Sequence, residues 1–151
     1  MRITSSSFKN NERIPEKYTA DGKNINPELI ISEIPDGSKS LILIVDDPDA
    51  KRVVGYTWVH WLVFNIPVKE NKLVIKENSI PGIPGESTYK KENYGGPSPP
   101  KGTGIHNYHF KVYALNKNLN LQKMAPLKSI EEAMKKNIIE FSELIGTYSR
   151  D

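Results

Sequence analysis

Tyr56 to Pro67, YTWVHWLVFNIP, is the stretch whose reading decides the fold. Strict alternation puts Tyr56, Trp58, His60, Leu62 and Phe64 on one side and Thr57, Val59, Trp61, Val63 and Asn65 on the other. Both faces are apolar, so both need cover, and the segment reads as a central, doubly buried strand. A histidine there must find a partner, because an imidazole stripped of water without compensation is costly. His60 reads equally as a satisfied core histidine or as a site residue.

Upstream, Leu29 to Ser32 is a short apolar run ended by the turn Pro35-Asp36-Gly37, and Ser40 to Val45 fits a buried strand, giving two strands joined by a turn. The second runs straight into Asp46-Asp47-Pro48-Asp49, which sets three carboxylates within four residues at a strand end. Downstream, Tyr94 to Tyr108, YGGPSPPKGTGIHNY, packs four glycines and three prolines ahead of a further strand over Ile105 to Leu115. Proline fixes the path of the chain, and glycine permits φ > 0 and leaves free amides near Gly102 and Gly104. Period 2 sets His106 and Tyr108 on one face of that strand and His109 on the other.

The rest of the chain is less regular. Residues 2–8 read as a short strand, and Asn10 to Pro27 as a long ordered loop by its turn chemistry. Between Pro67 and Tyr94 short strand candidates lie at Leu73 to Ile75 and around Thr88, interrupted by Pro81-Gly82 and Pro84-Gly85. Asn116 to Asn120 is a polar turn. Ser129-Ile130-Glu131-Glu132 has the pattern of a capping box, with Ile130, Met134 and Ile138 as an apolar stripe, so one amphipathic helix starts there. Its far end reads two ways, as helix through to Gly146 or as a final strand within Ile138 to Tyr148.

At 151 residues the chain is the size of one domain, expected to span 1–151. It has no cysteine, hence no disulfide framework or thiolate chemistry, and its longest aliphatic run, Leu41 to Val45, is too short to span a bilayer. The expectation is a cytoplasmic protein. Lys and Arg number 21 against 18 acids, and the basic residues are scattered without aromatic interleaving, which argues against nucleic acid.

The motifs exclude several chemistries. Lys101 precedes Gly102, so the glycine-rich loop is not a phosphate-cradling GxxxxGK[ST] loop, and Asn107 breaks GxGxxG. No close histidine pair supports a zinc site. Ser98 and Thr103 are hydroxyls in this loop, but no GxSxG elbow presents either as a nucleophile, so a hydrolase using one of them with His60 or His106 is the alternative reading. Two histidines, aspartates, a tyrosine, an indole and loop amides suit the holding of a small anion or zwitterion.

DPDA, then the Trp-x-His strand, then the loop PPKGTG-x-His-x-Tyr, closing on GTYSR, resemble the phosphatidylethanolamine-binding protein family, in its short bacterial and archaeal branch similar to Raf kinase inhibitor proteins. The resemblance extends from Phe8 to Arg150 and includes IPEKYTADGKNINPEL. It implies a mainly β fold of two antiparallel sheets, a Greek-key sandwich with one short helix near 129–138, followed by a strand over Glu140 to Tyr148. It also implies a pocket for phosphate or a phosphoethanolamine-type headgroup, without metal, cofactor or catalytic residues. Carried over by motif, the pocket residues are Asp47, Trp58, His60, Pro99, Pro100, His106 and Tyr108. The implied role is a regulator or inhibitor of other proteins, a kinase or a protease, in a chain that is often a homodimer. Two positions depart from the family pattern: Lys51 replaces the usual proline after DPDA, and Pro97-Ser98 stands where small residues are commoner.

Overall fold

The computed structural model describes residues 1–151. In chain order its strands are β1 (Arg2–Thr4), β2 (Leu29–Ser32), β3 (Ser40–Asp47), β4 (Trp58–Pro67), β5 (Leu73–Ile75), β6 (Ile83–Pro84), β7 (His106–Leu115) and β8 (Ile138–Tyr148). Helix α1 (Lys51–Val54) is a single turn after β3, and α2 (Leu127–Met134) precedes β8. The strands form two antiparallel sheets, one of three strands in the order β1-β2-β5 and one of five in the order β6-β4-β3-β7-β8. The protein is mainly β, as expected.

β3 lies at the centre of the large sheet, and all eight of its residues are buried. Leu41, Leu43 and Val45 point to one face, where they join Trp61, Val63, Phe110 and Val112 and meet Ile3, Leu29, Ile31 and Ile75 of the small sheet. Ile42 and Ile44 point to the other face, joining Leu62, Phe64 and, from α2, Ile130 and Met134. The two apolar faces of β4 are covered by the small sheet on one side and α2 on the other, but the central strand of the sheet is β3 and not β4 as expected, because β7 and β8 extend the sheet beyond β3.

The alternation assigned to β4 breaks, however. Val45 pairs with Trp61 and Asp46 with Val59, so His60 is an extra residue opposite the β3 ladder. This bulge reverses the phase. Trp61 and Val63 lie in the inter-sheet core, while Leu62, Phe64 and also Val59 belong to the α2 side. A one-residue slip exchanges every later side chain between faces, and nothing in the apolar composition of this strand signals it.

Other expectations are corrected. The strand expected over 2–8 is only Arg2–Thr4. β2 and β3, expected to be joined simply by a turn, belong to different sheets, so that turn is a crossover between layers. No strand forms around Thr88, although its N–H and hydroxyl clasp the Val59 backbone; the edge strand is Ile83–Pro84. α2 starts two residues earlier than the capping box implied: Pro126 occupies the boundary and Ser129 sits inside the first turn. The helix stops at Met134 because Asn137 folds back, its amide donating to Ala133 O at 3.0 Å and its N–H to Met134 O at 2.8 Å. Ile138, taken as the third member of the stripe, begins β8 and is exposed.

Candidate functional site

β3 runs antiparallel to both β4 and β7, so its last residue meets the first residues of the other two. Asp47 pairs with Trp58, and Asp46 with His109. Pleating then sends Asp47, His60, His106 and Tyr108 to the small-sheet face, whereas Asp46 turns to the opposite face and binds Lys111 Nζ at 2.8 Å. His109 also lies on that opposite face, 3.2 Å from Glu143. A cavity of about 290 Å³ opens at this end of the sheet, near the lower size limit of small-molecule pockets. All seven residues assigned by motif line it: Asp47, Trp58, His60, Pro99, Pro100, His106 and Tyr108.

His106 is held at both ring nitrogens. Nδ1 lies 2.7 Å from Asp47 Oδ2 and Nε2 lies 2.9 Å from Thr103 Oγ1. The Thr103 hydroxyl donates its proton to Pro100 O at 2.7 Å, so towards His106 it can only accept, and Nε2 must carry a hydrogen. The Nδ1 contact needs a second proton. With the Thr103 proton on Pro100 O, these contacts are all met when the Asp47–His106 pair is uncharged as a unit, an imidazolium beside a carboxylate or an imidazole beside a carboxylic acid. Burial raises the pKa of Asp47, while the hydrogen bond and charge of His106 oppose that shift.

His60 is set differently. Nδ1 donates to Gly95 O at 2.7 Å, and Gly95 N–H returns a bond to His60 O at 3.1 Å. The residue is only 3% exposed, and burial lowers the imidazole pKa to about 4, so the ring is neutral at pH 7. Its Nε2 is a lone-pair acceptor. Tyr108 packs edge-on against His60, and burial raises the pKa of its hydroxyl, which stays a phenol. Trp58 Nε1 is a buried donor without a partner.

Four lining residues were not read from the sequence, Ala50, Val53, Val54 and Tyr89, and a fifth, Ser98, was named only as a candidate loop hydroxyl. Tyr89 stands edge-on to both Trp58 and His60 at 5.4 Å and anchors the loop by donating to Gly96 O. No motif marks it. Two arginines also act outside the cavity wall. Arg52 Nη2 donates to Thr103 O at 2.9 Å and to Ile105 O at 2.8 Å, bracketing Gly104, while Nη1 meets Asp49 at 3.2 Å. Asp49 in turn accepts from the N–H and the side-chain amide of Asn107. Arg150 grips Asp21 through Nε and Nη2 and donates to Pro99 O at 3.3 Å. The loop is thus clamped from both ends, and its φ of 78° at both Gly102 and Gly104 favours glycine. Neither Lys nor Arg lines the cavity.

The family described as phosphatidylethanolamine-binding protein matches residues 4–149. The chain belongs to the phosphatidylethanolamine-binding protein family. Among curated members, a UPF0098 protein of Pyrococcus abyssi is 45% identical over 152 aligned residues, covering 97% of this chain and 84% of the relative. The Aquifex aeolicus UPF0098 protein is 41% identical, covering 100% of this chain and 90% of that one. Among solved structures, a phosphatidylethanolamine-binding protein homologue of Chlamydia trachomatis superposes with a TM-score of 0.89 at 36% identity, over 99% of this chain and 97% of that one. E. coli YbcL gives 0.88 at 28% identity, over 99% and 98%. Lys51 is the position at which the sequence was expected to depart from the family pattern. There it opens α1, whose next residue, Arg52, clamps the glycine loop.

Proposed function

We propose that this chain binds a small anionic or zwitterionic ligand, phosphate or a phosphoethanolamine-type headgroup, in the cavity at the end of the large sheet. Occupancy, with no turnover, is then its output, and it regulates or inhibits other proteins of the kinase or protease kind. The observation that carries this reading is the chain of contacts Asp47–His106–Thr103. A bare carboxylate would repel an anion by several kcal/mol in a poorly screened pocket. Sharing a proton with His106 removes that charge, and His60 Nε2 remains to accept from a protonated phosphate oxygen or an ammonium group. The family description supports the ligand class.

Calorimetry with phosphate and with phosphoethanolamine from about pH 5 to 9 tests it, since that span brackets a titrating histidine. Affinity weakens as pH rises across that span; His106→Ala causes the larger loss and His109→Ala little. A flat profile, or equal effects of the two variants, overturns the reading. The same proposal keeps the protein in the cytoplasm, as a monomer or homodimer that light scattering at two concentrations separates. No helix is long and apolar enough to cross a membrane.

A second reading has one observation in its favour. Thr103, His106 and Asp47 stand in the order hydroxyl, imidazole, carboxylate that nucleophilic hydrolysis uses. Against it, the Thr103 proton is committed to Pro100 O and not to the imidazole. Screening ester, amide and phosphoester substrates with Thr103→Ala and His106→Ala beside the wild type decides: turnover lost in both variants makes the protein a hydrolase.

A further inference from the structure

A second cavity, sharing no residue with the first, is walled by three loops far apart in the chain, around Asn26, Asn78 and Asn93. Its volume is about 400 Å³, larger than the first and within the range of small-molecule pockets. Its chemistry differs in kind, because none of its seven lining residues is charged and three of them carry carboxamides. The walls are held before any ligand arrives. Asn26, only 3% exposed, accepts from Ser79 N–H at 2.9 Å through its side chain and from Asn78 N–H at 3.1 Å through its backbone. Its amide donates to Lys76 O at 3.0 Å and to Pro27 O at 3.1 Å, so this carboxamide is committed to the wall. Tyr94 is fixed as well, its ring edge-on to Trp61 at 5.7 Å and its hydroxyl donating to Tyr18 O at 2.7 Å. The other two carboxamides are free. Asn78 and Asn93 are exposed, and neither side chain bonds any other group of the protein. Asn78 sits at φ 53°, in the left-handed region that asparagine tolerates.

We infer that this cavity is a second binding site, for an uncharged ligand rich in hydroxyls, a sugar. A carboxamide offers a donor and an acceptor from one side chain, and a hydroxyl takes either role, so two free carboxamides match neighbouring ring hydroxyls whichever way their protons point. With no lysine, arginine or carboxylate in the lining, nothing there compensates a phosphate or an ammonium group for its lost water. A wholly apolar ligand fits no better, since it would cover both carboxamides and leave them unpaired. Ile25 and Ile80 line the same cavity, and Ile80 is 43% exposed, so the C–H side of a sugar ring finds apolar cover beside the polar groups. Because the two cavities have no residue in common, this site does not depend on the headgroup reading of the first.

Amide NMR of the full chain, titrated with glucose, N-acetylglucosamine and maltose, tests this. At least one of these sugars shifts the backbone and side-chain amides of residues 78–80 and 93–94 and leaves those of His106 and Tyr108 in place. Asn78→Gly removes the carboxamide while keeping the left-handed backbone, and Asn93→Ala removes the other; each weakens the binding about tenfold. Asn118→Ala, at an exposed asparagine outside both cavities, leaves it unchanged. Urea unfolding of the variants separates lost contacts from lost folding. No shift at these residues with any of the three sugars overturns the inference, and so does wild-type affinity in both Asn78→Gly and Asn93→Ala. Shifts at His106 and Tyr108 that phosphate abolishes would place the sugar in the first cavity and overturn it too. A response of the same loops to N-acetylalanine amide and to none of the sugars would give the site to peptide instead.

Discussion

His60 should make this protein lose stability in acid, by an amount that can be worked out. In the unfolded chain the imidazole titrates near 6.5, whereas burial lowers its folded pKa to about 4. A histidine with a depressed folded pKa contributes its stability above the unfolded value. As pH falls through 6.5, the unfolded state takes up a proton that the folded state refuses, and the loss is complete below the folded value. The gap of about 2.5 pH units corresponds to about 3 kcal/mol, of which about 2 is lost between pH 8 and pH 5. Asp47 acts with the opposite sign, since its raised pKa adds stability at low pH that disappears as pH rises through the folded value. The two are separated by comparing wild type with His60→Asn, whose amide can still donate to Gly95 O while nothing at that position titrates. Urea unfolding of both proteins at pH 8 and pH 5 should show the wild-type advantage shrinking by about 2 kcal/mol, well outside extrapolation error. Parallel losses in the two proteins would refute the buried neutral imidazole.

Three further outcomes are expected. Arg52→Ala removes two bonds to loop carbonyls and the pair with Asp49; it should cost only about 1 kcal/mol, because the residue is exposed, yet speed amide exchange over residues 102–107. Unchanged exchange there would mean that Arg52 does not hold the loop. A Cβ at Gly96 would sit 2.3 Å from Tyr18 O, so Gly96→Ala should displace the loop, cost more than about 2 kcal/mol and weaken phosphate binding by calorimetry. Wild-type affinity in that variant would show that the loop's path is not needed. Ile130→Ala, at a fully buried position on α2, should cost about 2–5 kcal/mol in urea unfolding, against under about 0.5 for the exposed Ile139→Ala. Similar values at both positions would deny that α2 covers the second face of the sheet.

Much of the architecture follows from apolar pattern alone. A segment apolar on both faces has to be covered on both, which puts Tyr56 to Pro67 between two layers of a β protein, although the central strand of its sheet is β3. Period 2 separated His106 and Tyr108 from His109 correctly, because β7 is regular over those residues. The seven pocket positions came from motifs, and they meet because one strand end faces two strand beginnings across antiparallel ladders. Motif order hints at that convergence without containing it.

What tertiary structure alone decided are the places where neighbouring segments overrule local preference. The bulge at His60 reverses which face Trp61 and Leu62 serve, and it is fixed by how β4 pairs with β3, not by residue type. Ser129 has the chemistry of a cap but lies inside α2, because Pro126 sets where the chain enters. Proton sharing between Asp47 and His106 depends on two residues far apart in the chain lying 2.7 Å apart, and on a threonine whose own proton is already donated. Arg52, Arg150 and Tyr89 occupy positions with no local signature, since a clamp needs only a side chain long enough to reach, and reach is a property of folded distances. Composition and periodicity report what a segment must bury; which polar atoms meet once it is buried is decided by register, and register belongs to the pair of strands and not to either one.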